Sequence, residues 1–191
     1  MPAGPPDVLA VLLTGPPAAG KTTVGGELAR RLGAALLDLD TATAPLVDVV
    51  AGMVGVDDLD DARLAGATRS ARYETLTALA EDNLRAGTAV VLVAPFSTER
   101  TDPQAWQRLE HRLLAAGGRP VLVWLRLQPE VVIQRLRARG AARDQPKLAG
   151  LEAYAGRLDV AEPRVAHVAV DASGPVKDIV EDALVALTRA T

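Results

Sequence analysis

The sequence predicts an α/β domain: a five-stranded, mostly parallel sheet flanked by helices. Three observations predict it. Short apolar runs alternate along the chain with longer amphipathic segments, which is the order of strands and crossover helices. Those runs are almost continuously aliphatic, as strands covered on both faces are, because they have no solvated side to make polar. Gly87 and the Gly117–Gly118 pair stand where helices should stop, and Pro103 and Pro129 where they should start.

In chain order, the first strand is VLAVLL, residues 8–13, and a helix follows at 21–32. The second strand is ALLDL, 35–39, and a long helix at 59–86 leads to the third, AVVLVA, 89–94. A helix at 103–116 precedes the fourth strand, PVLVWLRL, 120–127, and another spans 129–139. Residues 137–150, RARGAARDQPKLAG, start helically before glycine, proline and clustered charge break the apolar period, and a small mobile lid is expected there. A helix at 149–160, the strand RVAHVAV at 164–170 and a helix at 176–189 complete the pattern. No repeat or low-complexity linker interrupts it, so residues 1–191 read as one domain, a length at which a single core closes.

Composition narrows the classes of function. Hydrophobic residues make up 49% and charged residues 24%, so a packed core is expected; with aromatics at 3%, that core is aliphatic. A formal net charge of −3 provides no broad basic surface and argues against nucleic acid as a partner. Without cysteine there is no disulfide, thiolate metal site or thiol nucleophile. The opening MPAGPPDVLAVLLTG lacks a basic leader, and its apolar run is too short to span a bilayer, so a cytoplasmic protein with no membrane partner is expected.

The chemistry is concentrated in LLTGPPAAGKTTVGGELARRLG, residues 12–33. Gly15, Pro16, Pro17, Ala18, Ala19, Gly20, Lys21 and Thr22 fit G-x-x-x-x-G-K-[ST] between a predicted strand and a predicted helix, with Thr23 next. In that arrangement backbone N–H groups wrap phosphates, the helix dipole points at them, Lys21 reaches the β- and γ-phosphates and the Thr22 hydroxyl ligates Mg²⁺. The alternative is a glycine-rich turn with a solvated lysine. Ala18 occupies a position where alanine tolerates positive φ poorly, so a slightly altered loop is expected rather than a lost site. In LLDLDTA, strand alternation would put Asp38 and Asp40 on one face at the end of the second strand. One carboxylate can then hold magnesium's water shell and the other orient an acceptor hydroxyl, unless both are merely solvated strand-end acids. Arg135 and Arg139, four apart, share one face of a helix, and Arg143 follows in the charged loop.

On these motifs the chain resembles the small P-loop kinases, the group of shikimate kinase, gluconate kinase and adenylate kinase with its bacterial AAA-type relatives, over nearly its whole length. The resemblance implies a three-layer P-loop fold, ATP and Mg²⁺. It implies a metal-side role for Asp38, a base or acceptor-binding role for Asp40, stacking of Arg135 on adenine, and neutralisation of the transferring phosphoryl group by Arg139 and Arg143. It also places Arg69, Arg72 and Tyr73 on the acceptor side, Arg72 facing an acidic group, and Ser173 to Pro175 beside the base. Ser97 and Arg100 are expected at the mouth of the crevice. The segment APFSTER lacks the acid that adenylate kinases carry after the third strand, which leaves the metal to Asp38. Asp144 and Lys147 are expected to shape the lid as an ion pair. His111, His167, Trp106, Trp124 and Tyr154 are expected to be structural.

The activity implied is transfer of the ATP γ-phosphoryl group to a hydroxyl of a small molecule such as a sugar, sugar acid, cyclitol or natural product. A nucleoside or nucleotide kinase, a toxin-like kinase acting on nucleotide sugars, and a regulatory ATPase or nucleotide-dependent binding module stand beside it.

Overall fold

The computed structural model describes residues 8–56, 61–139 and 159–189, with the backbone alone of Arg139. The elements are β1 (Val8–Thr14), α1 (Lys21–Leu32), β2 (Ala35–Asp38), α2 (Leu39–Val54), α3 (Ala62–Arg85), β3 (Val90–Val93), α4 (Pro103–Ala115), β4 (Gly118–Arg126), α5 (Pro129–Arg139), β5 (Val168–Asp171) and α6 (Val176–Arg189). The strands lie in the order β2-β3-β1-β4-β5, every pairing parallel. β1 is central, with Leu12 opposite Leu92 on one side and Leu122 on the other.

Alternation along β1 divides the core in two. Val11 and Leu13 face the layer of α1, α5 and α6, where they meet Leu28, Leu136 and Ile179. Ala10 and Leu12 face α3 and α4, where they meet Leu76, Leu84 and Leu113. Each of these side chains is buried, and full burial of a leucine is worth about 1.5–3 kcal/mol. A third, smaller cluster of Val47, Ala51, Val56 and Leu64 joins α2 to α3 away from the sheet. No helix among the described residues is long and apolar enough to cross a membrane.

Two elements depart from the sequence reading. α2 was not anticipated; instead of continuing as strand and loop, the chain turns into a helix at Leu39. Asp38 causes the turn, since its Oδ1 accepts from the amides of Asp40 (3.0 Å) and Thr41 (3.1 Å) and caps the helix. The buried stripe Leu39, Thr43, Val47 and Ala51 then recurs every four residues, although Pro45 removes one intrahelical bond. The last strand begins at Val168 rather than 164. Ahead of it the Arg164 amide donates to the Arg100 carbonyl (2.7 Å) and the His167 ring meets the Val165 carbonyl (2.8 Å). The predicted helix at 149–160 falls outside the described residues up to 158, and 159–160 are not helical.

Candidate active site

The parallel strands end together at the crevice where open α/β sheets bind ligands. The loop from Gly15 to Gly20 leaves β1 there. Gly15 has φ 155°, and a Cβ on it would stand 2.8 Å from the Leu125 carbonyl oxygen, so only glycine lets the loop cross the end of β4. Gly20 is left-handed (φ 82°) as it opens α1. Ala18 is left-handed too (φ 59°): the alanine adopts the conformation it disfavours, at roughly 1–2 kcal/mol. Pro16 and Pro17 bring no N–H to the loop, and the Ala19 amide donates back to the Pro16 carbonyl (3.3 Å).

The N-terminus of α1 is built unlike those of its neighbours. α2, α3 and α4 are each capped by an aspartate, Asp38, Asp61 and Asp102, whose carboxylate accepts backbone amides. α1 has a glycine at that place, no side-chain cap and no acidic residue in its first turn. The first intrahelical bond runs from Val24 N to Gly20 O, leaving the Thr22 and Thr23 amides ahead of it without a helical acceptor. An anion is the partner such an end favours. The Lys21 ammonium lies over the loop, donating to the carbonyls of Gly15 and Pro16, both at 2.9 Å.

Thr22 and Asp38 meet directly: the hydroxyl donates to Oδ2 at 2.9 Å. Asp38 is 8% exposed, so this oxygen is one of few hard donors in a sheltered position. No group of three or more His, Cys, Asp or Glu able to hold a metal occurs among the described residues. The pair fits magnesium, which takes one or two protein oxygens and completes its octahedron with phosphate oxygens and water.

Asp40 is not beside Asp38 on a strand face. β2 ends at Asp38 and Asp40 lies in the first turn of α2. That turn separates the two carboxylates: Asp38 faces Thr22, whereas Asp40, 79% exposed, accepts from Arg72 Nη2 at 2.5 Å. Arg72 reaches Asp40 from α3 and also donates from Nε to the buried Thr43 hydroxyl (2.9 Å). Thr43 was missed by the sequence reading. Its place three residues after Asp40 is a signal only once α2 is recognised as a helix.

Beyond β3 the chain makes a compact turn. Phe96 is buried with φ 43°, an uncommon conformation for a bulky residue. Its amide donates to the Tyr73 hydroxyl (3.1 Å), and the two rings pack edge to face at 6.0 Å. Burial pushes the Tyr73 hydroxyl up to about 12. Arg69 lies over the Tyr73 ring (4.9 Å) and donates to Thr98 Oγ1 (3.1 Å) and Ser97 Oγ (3.4 Å). Arg100 corrects the sequence reading: it does not face the crevice mouth but is 4% exposed, with Nη1 donating to the Ala161 carbonyl (2.6 Å) and the guanidinium paired with Asp159.

On the other side of the loop, Arg135 reaches the Ala18 carbonyl (3.4 Å) and the Ser173 carbonyl (3.0 Å), bringing α5, the glycine-rich loop and the segment before α6 together. Pro175 is exposed beside Ser173. A cavity of about 430 Å³ lies between the starts of α1 and α6, lined by Thr22, Thr23, Glu27, Arg31, Val176 and Lys177 among others. Arg139 ends α5. Arg143, Asp144, Lys147, Tyr154 and the lid expected at 137–150 beyond its first residues lie outside the described residues. His167 packs edge to face on Trp124 (5.7 Å) and neighbours Glu162 (3.4 Å), a structural setting. Trp106 is core, and His111 is exposed on α4.

Solved structures share this architecture. A gluconokinase from Sinorhizobium meliloti superposes with a TM-score of 0.60 at 20% identity, covering 97% of this chain and 94% of that one. A sugar kinase from Janibacter sp. gives 0.61 at 20% identity, covering 95% of each chain. Shikimate kinase from Aquifex aeolicus gives 0.57 at 18%, covering 95% of this chain and 98% of the other. At these identities the likeness is one of fold. No curated protein matches by sequence. The AAA domain family matches residues 11–163, most of the chain, and includes the glycine-rich loop, both aspartates and α3; the chain therefore belongs to the AAA domain family and has the P-loop fold.

Proposed function

We propose that the chain is an ATP-dependent phosphotransferase that moves the γ-phosphoryl group to a hydroxyl of a small molecule. The observation that carries this reading is the Thr22–Asp38 hydrogen bond at the mouth of the glycine-rich loop, with Asp40, two residues on in the first turn of α2, held by Arg72. Phosphoryl transfer asks a protein mainly for positioning and charge stabilisation, and this arrangement offers both.

In this reading the amides at the start of α1 and the Lys21 ammonium bind the phosphate chain, Lys21 exchanging the Gly15 and Pro16 carbonyls for phosphate oxygens. Thr22 and Asp38 would hold Mg²⁺, which supplies neutralising charge to the phosphate oxygens. Arg135, Ser173 and Pro175 receive the base. Asp40 orients the acceptor hydroxyl and takes its proton as that oxygen bonds to the γ-phosphorus and the bond to the β-phosphate oxygen breaks, releasing ADP. Arg139 and Arg143 are assigned to the transferring phosphoryl group by the resemblance to the small P-loop kinases. Arg72 and Arg69, both on α3, favour an acceptor that also carries an acidic group, because guanidinium pairs well with carboxylate or phosphate.

The test is incubation of the purified chain with MgATP and a panel of sugars, sugar acids, cyclitols, nucleosides and hydroxylated natural products, read by mass spectrometry. A phosphorylated product is expected. Hydrolysis of ATP at one rate whatever acceptor is added would replace the kinase with the ATPase reading.

A further inference from the structure

Arg100 is a buried charge with no part in the chemistry above, and an arginine this deep must be compensated on every side. Among the described residues its side-chain partners lie in one segment: Nη1 donates to the Ala161 carbonyl (2.6 Å), Nη2 to the Asp159 carbonyl (3.4 Å), and the guanidinium pairs with the Asp159 carboxylate, while the Arg100 carbonyl accepts from the Arg164 amide (2.7 Å) of the same segment. Arg100 thus ties the turn after β3 to residues 159–164, about 60 positions along the chain.

The turn so tied carries strain of its own. The Arg100 amide donates to the Phe96 carbonyl (2.9 Å), the Thr101 hydroxyl to the Ser97 carbonyl (2.7 Å) and the Asp102 amide to the Thr98 carbonyl (2.8 Å), which makes 96–102 one compact unit. At its start the left-handed Phe96 is held by Tyr73 of α3. A bulky residue persists in such a conformation only where its surroundings over-determine it, and Tyr73 and Arg100 are the two ends of that constraint. α3 also carries Arg69 and Arg72, which set Ser97, Thr98, Thr43 and Asp40 in place.

We propose that Arg100 is a positioning residue for the acceptor side of the crevice: by fastening residues 159–164 it locks the strained turn at Phe96 and, through Tyr73, the part of α3 that presents Arg69 and Arg72. The proposal rests on the phosphotransferase reading. Arg100 touches neither phosphate nor acceptor, so its loss acts on acceptor geometry and leaves the loop at Gly15–Thr22 as it was.

The experiment compares the full chain with Arg100→Gln and Asp159→Asn by hydrogen exchange, alongside MgATP affinity and steady-state kinetics on an acceptor from the panel. Arg100→Gln is expected to speed exchange about tenfold or more both in 159–164 and in 94–101, with protection of β1 amides kept and the MgATP Kd within about twofold. Acceptor KM should rise more than kcat falls. Asp159→Asn keeps the carbonyl contacts and should give a smaller effect of the same sign, which covers the case in which Arg100→Gln fails to fold. Faster exchange confined to 159–164, or a uniform rise that includes β1, overturns the proposal by making Arg100 a local or a general anchor. Exchange and nucleotide affinity need no acceptor, so a panel without product sinks the phosphotransferase reading while leaving the measured link between the two segments intact.

Discussion

From Gly15 to Thr23 the proposed phosphate side of the crevice is one unbroken run of chain, whereas the proposed acceptor side is gathered from α2, α3 and the turn after β3, with Asp40, Arg72 and Phe96 widely separated in sequence. The first is shaped by backbone: two glycines, an alanine in a left-handed conformation and a helix end without a side-chain cap. The second is shaped by side chains that hold one another, as Arg72 holds Asp40 and Thr43, and Arg69 holds Thr98. Under the phosphotransferase reading, the backbone cup need only release the Lys21 ammonium from the Gly15 and Pro16 carbonyls, while the side-chain site must open contacts between its own groups to admit a ligand. Opening them is cheap here. Asp40 is largely exposed, and an ion pair in that setting is worth roughly 0–1 kcal/mol.

The largest effect should come from Lys21→Ala, expected to lower phosphotransfer on the order of 10³ and weaken MgATP binding, with an unchanged melting temperature. Unaltered binding and turnover would remove the phosphate side from the comparison altogether. Asp40→Asn should lower turnover on the order of 10² while calorimetry shows MgATP binding as in the parent chain; loss of nucleotide affinity in this variant would mean the two sides are not separable. Gly15→Ala forces a Cβ against the Leu125 carbonyl and should cost about 1–3 kcal/mol in a denaturant titration, because the obstacle is backbone and cannot rotate away.

Tyr73 sharpens the contrast from the acceptor side. Its folded-state pKa is raised from 10.0 to about 12 by burial, so the unfolded chain loses this proton first as pH rises. The stability that the neutral hydroxyl contributes is complete below about pH 10 and disappears on the way to pH 12. Tyr73→Phe should flatten that alkaline limb in pH-dependent unfolding and raise acceptor KM, without affecting MgATP affinity. The smallest effect is expected from Ala18→Gly, a gain of about 0.5 kcal/mol as relief of left-handed strain outweighs the added freedom of the unfolded chain. A loss of stability would show that Ala18 is not strained.

Legibility in the sequence follows the same division. The glycine-rich loop could be read because strand, turn, lysine, hydroxyl and helix stand in one stretch of chain. Four strands and the helices α1, α3, α4, α5 and α6 are legible to within a few residues, since their apolar runs are bounded by glycine and proline signals such as Gly87, Pro103 and Pro129. The fate of Asp40 was not readable. It depends on α2, whose helical period is masked by Pro45 and by the run of threonines and valines that otherwise favours strands. Arg100 failed for a related reason: a charged residue after a strand looks like a ligand contact, and only tertiary structure reveals that Asp159 and Ala161 occupy it. The last strand starts later than its apolar run suggests because residues 164–167 are spent on contacts to Arg100 and within their own bend.

The small cluster of Val47, Ala51, Val56 and Leu64 ties α2 to α3 apart from the two cores that flank the sheet. Only the far end of α2 and the start of α3 share that interior, since Leu39, Leu76 and Leu84 belong to the core on the sheet; under the phosphotransferase reading, residues facing the acceptor at that end could be exchanged while the sheet beneath keeps its shape. Under the same reading, duplicates of such a chain would be free to diverge in what they accept and remain alike in what they donate.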